Sequence, residues 1–223
     1  FMAALALLGL PTGVLSASAD PCTDVEVVFA RGTFEPPGIG VTGQTFVDSL
    51  RSRVGAKSVG VYPVNYPASL DFATAAAGVI DASNHVRDIA LTCPNTKMVL
   101  GGYSHGAAVI GYITEDAVPS GFTLPAGITG PMPPEVAKHV AAVALFGKPS
   151  NRFLQAMNIA APPVMIGRLY SANGIDLCIP EDPICSPSGN NNGAHGLYTV
   201  NGLTDQAADF ATRRLSSSRV TQS

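Results

Sequence analysis

The pentapeptide Gly102-Tyr103-Ser104-His105-Gly106 is the segment of this chain best equipped for chemistry. It follows an apolar run, Met98 to Gly102, and opens a helix-forming one, Ala107 to Glu115. A G-x-S-x-G between a strand and a helix makes a sharp turn that holds the serine hydroxyl out at the carboxyl edge of a sheet. The two glycines let strand and helix approach without Cβ clashes, while the serine takes a strained backbone conformation. Such a hydroxyl remains a weak nucleophile near neutral pH. It needs an imidazole to take its proton and an acid to hold the imidazole's tautomer.

On a scaffold of this kind the partners follow in the order serine, acid, histidine. Of four histidines, His85 and His139 are remote from the later loops at the carboxyl edge, and His105 sits inside the turn with its side chain directed away from Ser104. His195, in the loop Gly193-Ala194-His195-Gly196 ahead of the final helix, is the expected base. The acids upstream of it are Asp176, Glu181 and Asp182. Asp182 lies between Cys178 and Cys185, and a braced loop would fix its carboxylate. Asp176, at the end of the last strand, remains open as the alternative. The oxyanion of a tetrahedral intermediate also needs donors. The His105 N–H is one, as the residue after the nucleophile, and Arg31-Gly32-Thr33, leaving the first strand, offers the Thr33 N–H and hydroxyl.

The elements that must hold these groups read as alternating strands and helices, the pattern of a parallel sheet. Strands are expected at Val25–Ala30, Ser58–Tyr62, Met98–Gly102, Val140–Phe146 and Val164–Tyr170, with helices at Gln44–Val54, Ala73–Leu91, Ala107–Glu115 and Thr204–Leu215. Cys93-Pro94 ends the second helix. The Gly- and Pro-rich stretch Pro119 to Pro134 is a surface excursion. Its Phe122, Leu124, Ile128 and Met132 are placed to rim a lipid-facing site, although local packing is the commoner fate of loop residues.

A chain of 223 residues makes one well-filled domain. With 46% hydrophobic and 13% charged residues it suits a weakly charged exported protein. A net charge of −3 and the lack of any Lys/Arg cluster exclude a nucleic-acid partner. Phe1 to Ala19 carries an apolar stretch, Met2 to Leu10, and a small-residue cleavage site, Ala17-Ser18-Ala19. This reads as a secretory signal without its positively charged leading region. The expected division is signal 1–19, catalytic domain 20–215 and polar tail 216–223. No later segment has the run of apolar residues that stable membrane insertion requires. Four cysteines downstream of an export signal imply two disulfides. Cys178 and Cys185 flank a short Pro-containing loop and pair with each other, leaving Cys22 to tie the domain start to Cys93. A zinc site is disfavoured, since there is neither C-x-x-C spacing nor a matching histidine pair.

Taken in order, Ala30-Arg31-Gly32-Thr33 with Glu35 and Gly40, the Gly-Tyr-Ser-x-Gly turn, and Cys178-x3-Asp182-x2-Cys185 followed by His195 resemble the cutinase family. The likeness is strongest to its secreted mycobacterial and actinobacterial esterases. It implies a cutinase-type α/β-hydrolase fold, a central five-stranded parallel sheet flanked by helices, and an active site with little or no lid. It further implies a serine-esterase mechanism without metal or cofactor, with Asp182 as the acid and Thr33 as an oxyanion donor through both backbone and hydroxyl. One residue departs from the pattern: His105 stands where the family usually has glutamine.

The expected protein is therefore a secreted monomeric esterase acting on short- to medium-chain or lipid esters through an acyl-enzyme. A polysaccharide deacetylase of the same fold would show a polar site wall instead of an apolar one. A catalytically silent secreted protein that binds lipid or a host surface would have no need of an activated serine.

Overall fold

The computed structural model describes residues 22–118, 124, 126 and 128–217. The expected signal segment, Phe122 and the last six residues of the expected tail lie outside the described residues. The chain runs β1 (Val25–Ala30), α1 (Gly40–Arg51), β2 (Val59–Pro63), α2 (Ala75–Thr92), β3 (Lys97–Tyr103), α3 (His105–Thr114), β4 (Val140–Phe146), α4 (Asn151–Ala156), α5 (Arg168–Ser171), β5 (Gly174–Leu177) and α6 (Leu203–Ser217). All strand pairings are parallel, in the order β2-β1-β3-β4-β5.

Successive side chains of a strand face opposite sides of the sheet, so a strand covered on both faces must be apolar throughout. β4, Val-Ala-Ala-Val-Ala-Leu-Phe, is buried at every position. Val25, Val27 and Phe29 of β1 join Ala142, Ala144 and Phe146 under α1 and α6. Val28 and Ala30 join Val143 and Leu145 under α2 and α3. Phe29, Phe46 and Phe146 knit the first of these layers with centroid separations of 5.7–6.3 Å. Disulfides join Cys22 to Cys93 and Cys178 to Cys185, as the spacing suggests. None of the described helices is long and apolar enough to cross a membrane.

Three elements differ clearly from the sequence expectation. Val164–Tyr170 is not the fifth strand. Gly174–Leu177 is, paired with Val143–Phe146. The apolar run misleads because Val164 and Tyr170 are buried by packing and not by a ladder: a Cβ on Gly111 of α3 would touch Val164, and the Gly167 N–H donates to Thr114 Oγ1. The first helix begins at Gly40, four residues before the expected Gln44. Its start is held by Glu35, whose carboxylate accepts from the Gly32 and Val41 N–H groups at 2.6 and 2.7 Å. α6 also runs to Ser217, with the Ser216 and Ser217 hydroxyls bonded back to Thr212 and Arg213 carbonyls, so the polar segment begins inside a helix.

α3 gives way at Glu115, where burial pushes the carboxyl up from 4.5 to about 7 against the Met165 N–H that favours its charge. Its Oε1 is buried without a hydrogen-bond partner. An acid whose folded pKa is raised stabilises the fold while protonated, and that contribution is lost as pH rises from 4.5 to about 7. Glu115→Gln is therefore expected to raise Tm at pH 8 and to change it little at pH 4.5. Thermal melts at the two pH values check this, and an equal shift at both would show that Glu115 does not titrate upward.

Candidate active site

β3 delivers Tyr103 and Ser104 to the carboxyl edge of the sheet, with the Ser104 N–H donating to the Phe146 carbonyl at 2.9 Å. Ser104 adopts φ 54°, ψ −117°, a conformation unfavourable for a residue with a Cβ. The two glycines are sterically required. A Cβ on Gly102 would run into the Gly106 backbone, and one on Gly106 into the Ala30 carbonyl. Gly106 thus lets the start of α3 sit directly on the end of β1 at Ala30 and Arg31, and Gly32 in turn lies against the Tyr103 ring.

His195 lies in a 3-10 turn, Asn192–Gly196, whose start is capped by the Asn191 side chain accepting from the Gly193 N–H. Its Nε2 is 2.8 Å from Ser104 Oγ and its Nδ1 2.7 Å from Asp182 Oδ2. The Asp182 side chain is wholly buried, while His195 keeps 19% exposure. Oδ1 of Asp182 accepts from the Ile184 N–H at 2.9 Å and Oδ2 from the Tyr198 hydroxyl at 2.8 Å. Burial alone would push this carboxyl up. The hydrogen bonds from His195, Ile184 and Tyr198 outweigh it and hold the carboxyl below its ordinary value. An ionised Asp182 requires the proton on His195 Nδ1, which leaves the Nε2 lone pair facing the serine hydroxyl.

Asp176, the alternative acid, is elsewhere. It stands in β5 opposite Leu145 and pairs with Lys148 at 3.3 Å. His85 is stacked on Tyr62 with its Nε2 3.3 Å from Glu26, and His139 ends a 3-10 turn at the opposite edge of the sheet, just before β4.

The N–H groups of His105 and Thr33 are the two expected oxyanion donors. The His105 N–H is at the first position of α3, where no intrahelical acceptor exists. Among the described residues, nothing hydrogen-bonds to the Thr33 N–H or hydroxyl. The Thr33 loop is held from three sides. Arg31, itself buried, donates to the Glu35 and Tyr66 carbonyls at 2.8 and 2.6 Å, the Tyr66 hydroxyl returns a bond to the Arg31 carbonyl, and the Phe34 N–H donates to Ala68. The His105 ring points away from Ser104, stacked on Phe72 at 4.6 Å and edge-on to Tyr66 at 5.4 Å. Burial lowers its pKa, so it is a neutral packing element.

Tyr103 and Tyr198 were not singled out by sequence. The Tyr103 hydroxyl donates to the His195 carbonyl at 2.6 Å and its ring lies 5.0 Å from the imidazole. Tyr198 is buried and donates to the same oxygen of Asp182 that receives His195. Its position three residues past His195 was the available signal, but nothing local says which way the phenol turns. Tyr198→Phe removes one hydrogen bond to a buried charge. We expect kcat for ester hydrolysis to fall by about tenfold to a hundredfold with KM unchanged. Steady-state kinetics on the folded variant check this, and a pure KM effect would place Tyr198 outside the machinery.

A family model described as Cutinase matches residues 21–215. The chain is 50% identical over 212 residues to Carboxylesterase Culp1 of Mycobacterium tuberculosis, covering 95% of this chain and 90% of that one. It is 48% identical over 213 residues to Phospholipase Culp4 of the same organism, covering 96% and 88%. Among solved structures, it is similar to Trichoderma reesei cutinase in complex with a phosphonate inhibitor, with TM-score 0.63 and 31% identity over 88% of this chain and 78% of that one.

Proposed function

The chain belongs to the cutinase family of carboxylic ester hydrolases, and from that membership we propose that Ser104, Asp182 and His195 are its catalytic triad, acting on short- to medium-chain or lipid esters. What carries the reading is the unbroken chain of hydrogen bonds from the Ser104 hydroxyl through His195 to a fully buried Asp182, at 2.8 and 2.7 Å.

Ser104 Oγ attacks the ester carbonyl as its proton passes to His195 Nε2, and Asp182 stabilises the imidazolium. The carbonyl oxygen becomes an oxyanion between the N–H groups of His105 and Thr33, with the Thr33 hydroxyl as a third donor. His195 returns the proton to the departing alkoxide, leaving an acyl-serine. Water, deprotonated by the same nitrogen, then attacks, and the carboxylic acid leaves as Ser104 recovers its proton.

The wall of the site favours lipid-like esters over polysaccharide. Phe34, next to Thr33, is 73% exposed and Leu70 76%, and Leu197 and Val200 beyond His195 are also exposed. Two disulfides and no free cysteine among the described residues suit a secreted enzyme. Hydrolysis of p-nitrophenyl esters from acetyl to palmitoyl tests the reading. Turnover is expected, and the failure of oxidised, folded protein to turn over any of them would overturn it.

A further inference from the structure

Beside the Ser104 site, and containing neither Ser104 nor His195, is a cleft of about 580 Å³ between α2, α3 and residues 158–162. Phe72, Ala76, Val79, Ile113, Ile128 and Met132 supply its apolar lining. Its size and lining are those of a site for one small apolar ligand.

Two observations join it to the chemistry. The segment from Ala68 to Phe72 starts at the Thr33 loop, where the Ala68 carbonyl accepts from the Phe34 N–H. It then lays Phe72 on the ring of His105, the residue whose N–H is the proposed oxyanion donor, and Phe72 also lines the cleft. From there the cleft follows α3 to Tyr112 and Glu115. Eleven residues at 1.5 Å each set its far end about 16 Å from Ser104, a distance suited to an extended aliphatic chain.

The direction of the reaction selects which chain. His195 must protonate the departing alkoxide, so the alcohol leaves on the His195 side, toward β4 and β5. The acyl group then extends from the carbonyl to the opposite side, where the segment from Ala68 to Phe72 leads into the cleft. We infer that this cleft receives the acyl chain of the ester opened by Ser104, making long-chain lipid esters the substrate class. The inference rests on the hydrolase reading above and extends it to a preference for the length of the acyl chain.

Ala76→Phe would fill the cleft from α2, and none of Ser104, His195, Asp182, Thr33 and His105 lines that cleft. With p-nitrophenol as the constant alcohol, kcat/KM for the palmitoyl ester is expected to fall by on the order of tenfold to a hundredfold, since many methylenes lose burial. Acetyl ester turnover is expected to stay within about twofold, which also reports that the variant is folded. A direct readout uses the fluorescent polyene fatty acid cis-parinaric acid and Ser104→Ala protein. Saturable binding is expected, and it should be lost when Ala76→Phe is added. Unchanged palmitoyl-to-acetyl preference, or parinaric acid binding that survives the substitution, would overturn the inference. Absence of acetyl turnover by the wild type would instead overturn the hydrolase reading, and the binding assay would then decide the cleft alone.

Discussion

Ser104→Ala is expected to lower kcat on p-nitrophenyl acetate by roughly 10⁵- to 10⁶-fold, the scale set by removing the nucleophile from a serine triad. The fold should be unaffected. The Ser104 hydroxyl bonds only to His195, and the backbone bond from Ser104 N to the Phe146 carbonyl does not involve the side chain. Alanine also meets the left-handed φ of 54° with no larger Cβ than serine has. The measurement is turnover together with Tm. An unchanged melt with lost turnover assigns the nucleophile. Turnover above about a thousandth of wild type would show that ester cleavage proceeds elsewhere.

Asp182→Asn is expected to cost about 10⁴-fold in kcat, and Asp176→Asn no more than a few-fold. The contrast follows from what each carboxylate touches. Both oxygens of Asp182 accept, Oδ1 from the Ile184 N–H and Oδ2 from His195 Nδ1 and the Tyr198 hydroxyl. An amide can satisfy only one side. With its NH₂ toward Ile184 it opposes a donor with a donor, and with its NH₂ toward His195 it selects the wrong imidazole tautomer. In either orientation the imidazolium formed during attack loses its buried counter-charge. Asp176 contacts Lys148 near the sheet edge and has no part in that chain. Parallel kcat determinations for the two variants test the assignment, and the reverse ranking would move the acid to Asp176.

The legible parts of this protein are those with local causes. The turn at Ser104 needs glycine at 102 and 106 because backbone lies where a Cβ would be, a requirement written in the pentapeptide itself. The β4 strand was found to the residue because a central strand covered on both faces must be a continuous apolar run. β5 was missed for the converse reason. Gly-Ile-Asp-Leu is a four-residue edge strand with little burial, while the apolar Val164–Tyr170 segment before it is buried against helices.

By itself, then, the sequence determined the sheet's core strands, the disulfide pairing and a short roster of residues for the site, since strand period, glycine need and cysteine spacing act over a few neighbouring positions. Residue spacing left Asp176 open beside Asp182 and the family resemblance pointed to Asp182; only the tertiary structure set Asp182 against His195, and only it decided that Tyr198 completes the hydrogen bonds of Asp182 and that Glu35 and Arg31 frame the Thr33 loop. Only it opened an apolar cleft behind Phe72. These depend on where a side chain points after loops distant in sequence have closed on one another: Asp182 to His195 across 13 positions, Ser104 to His195 across 91, Arg31 to Tyr66 across 35. No local pattern encodes such a direction, because it is set by the packing of the whole sheet and its helices.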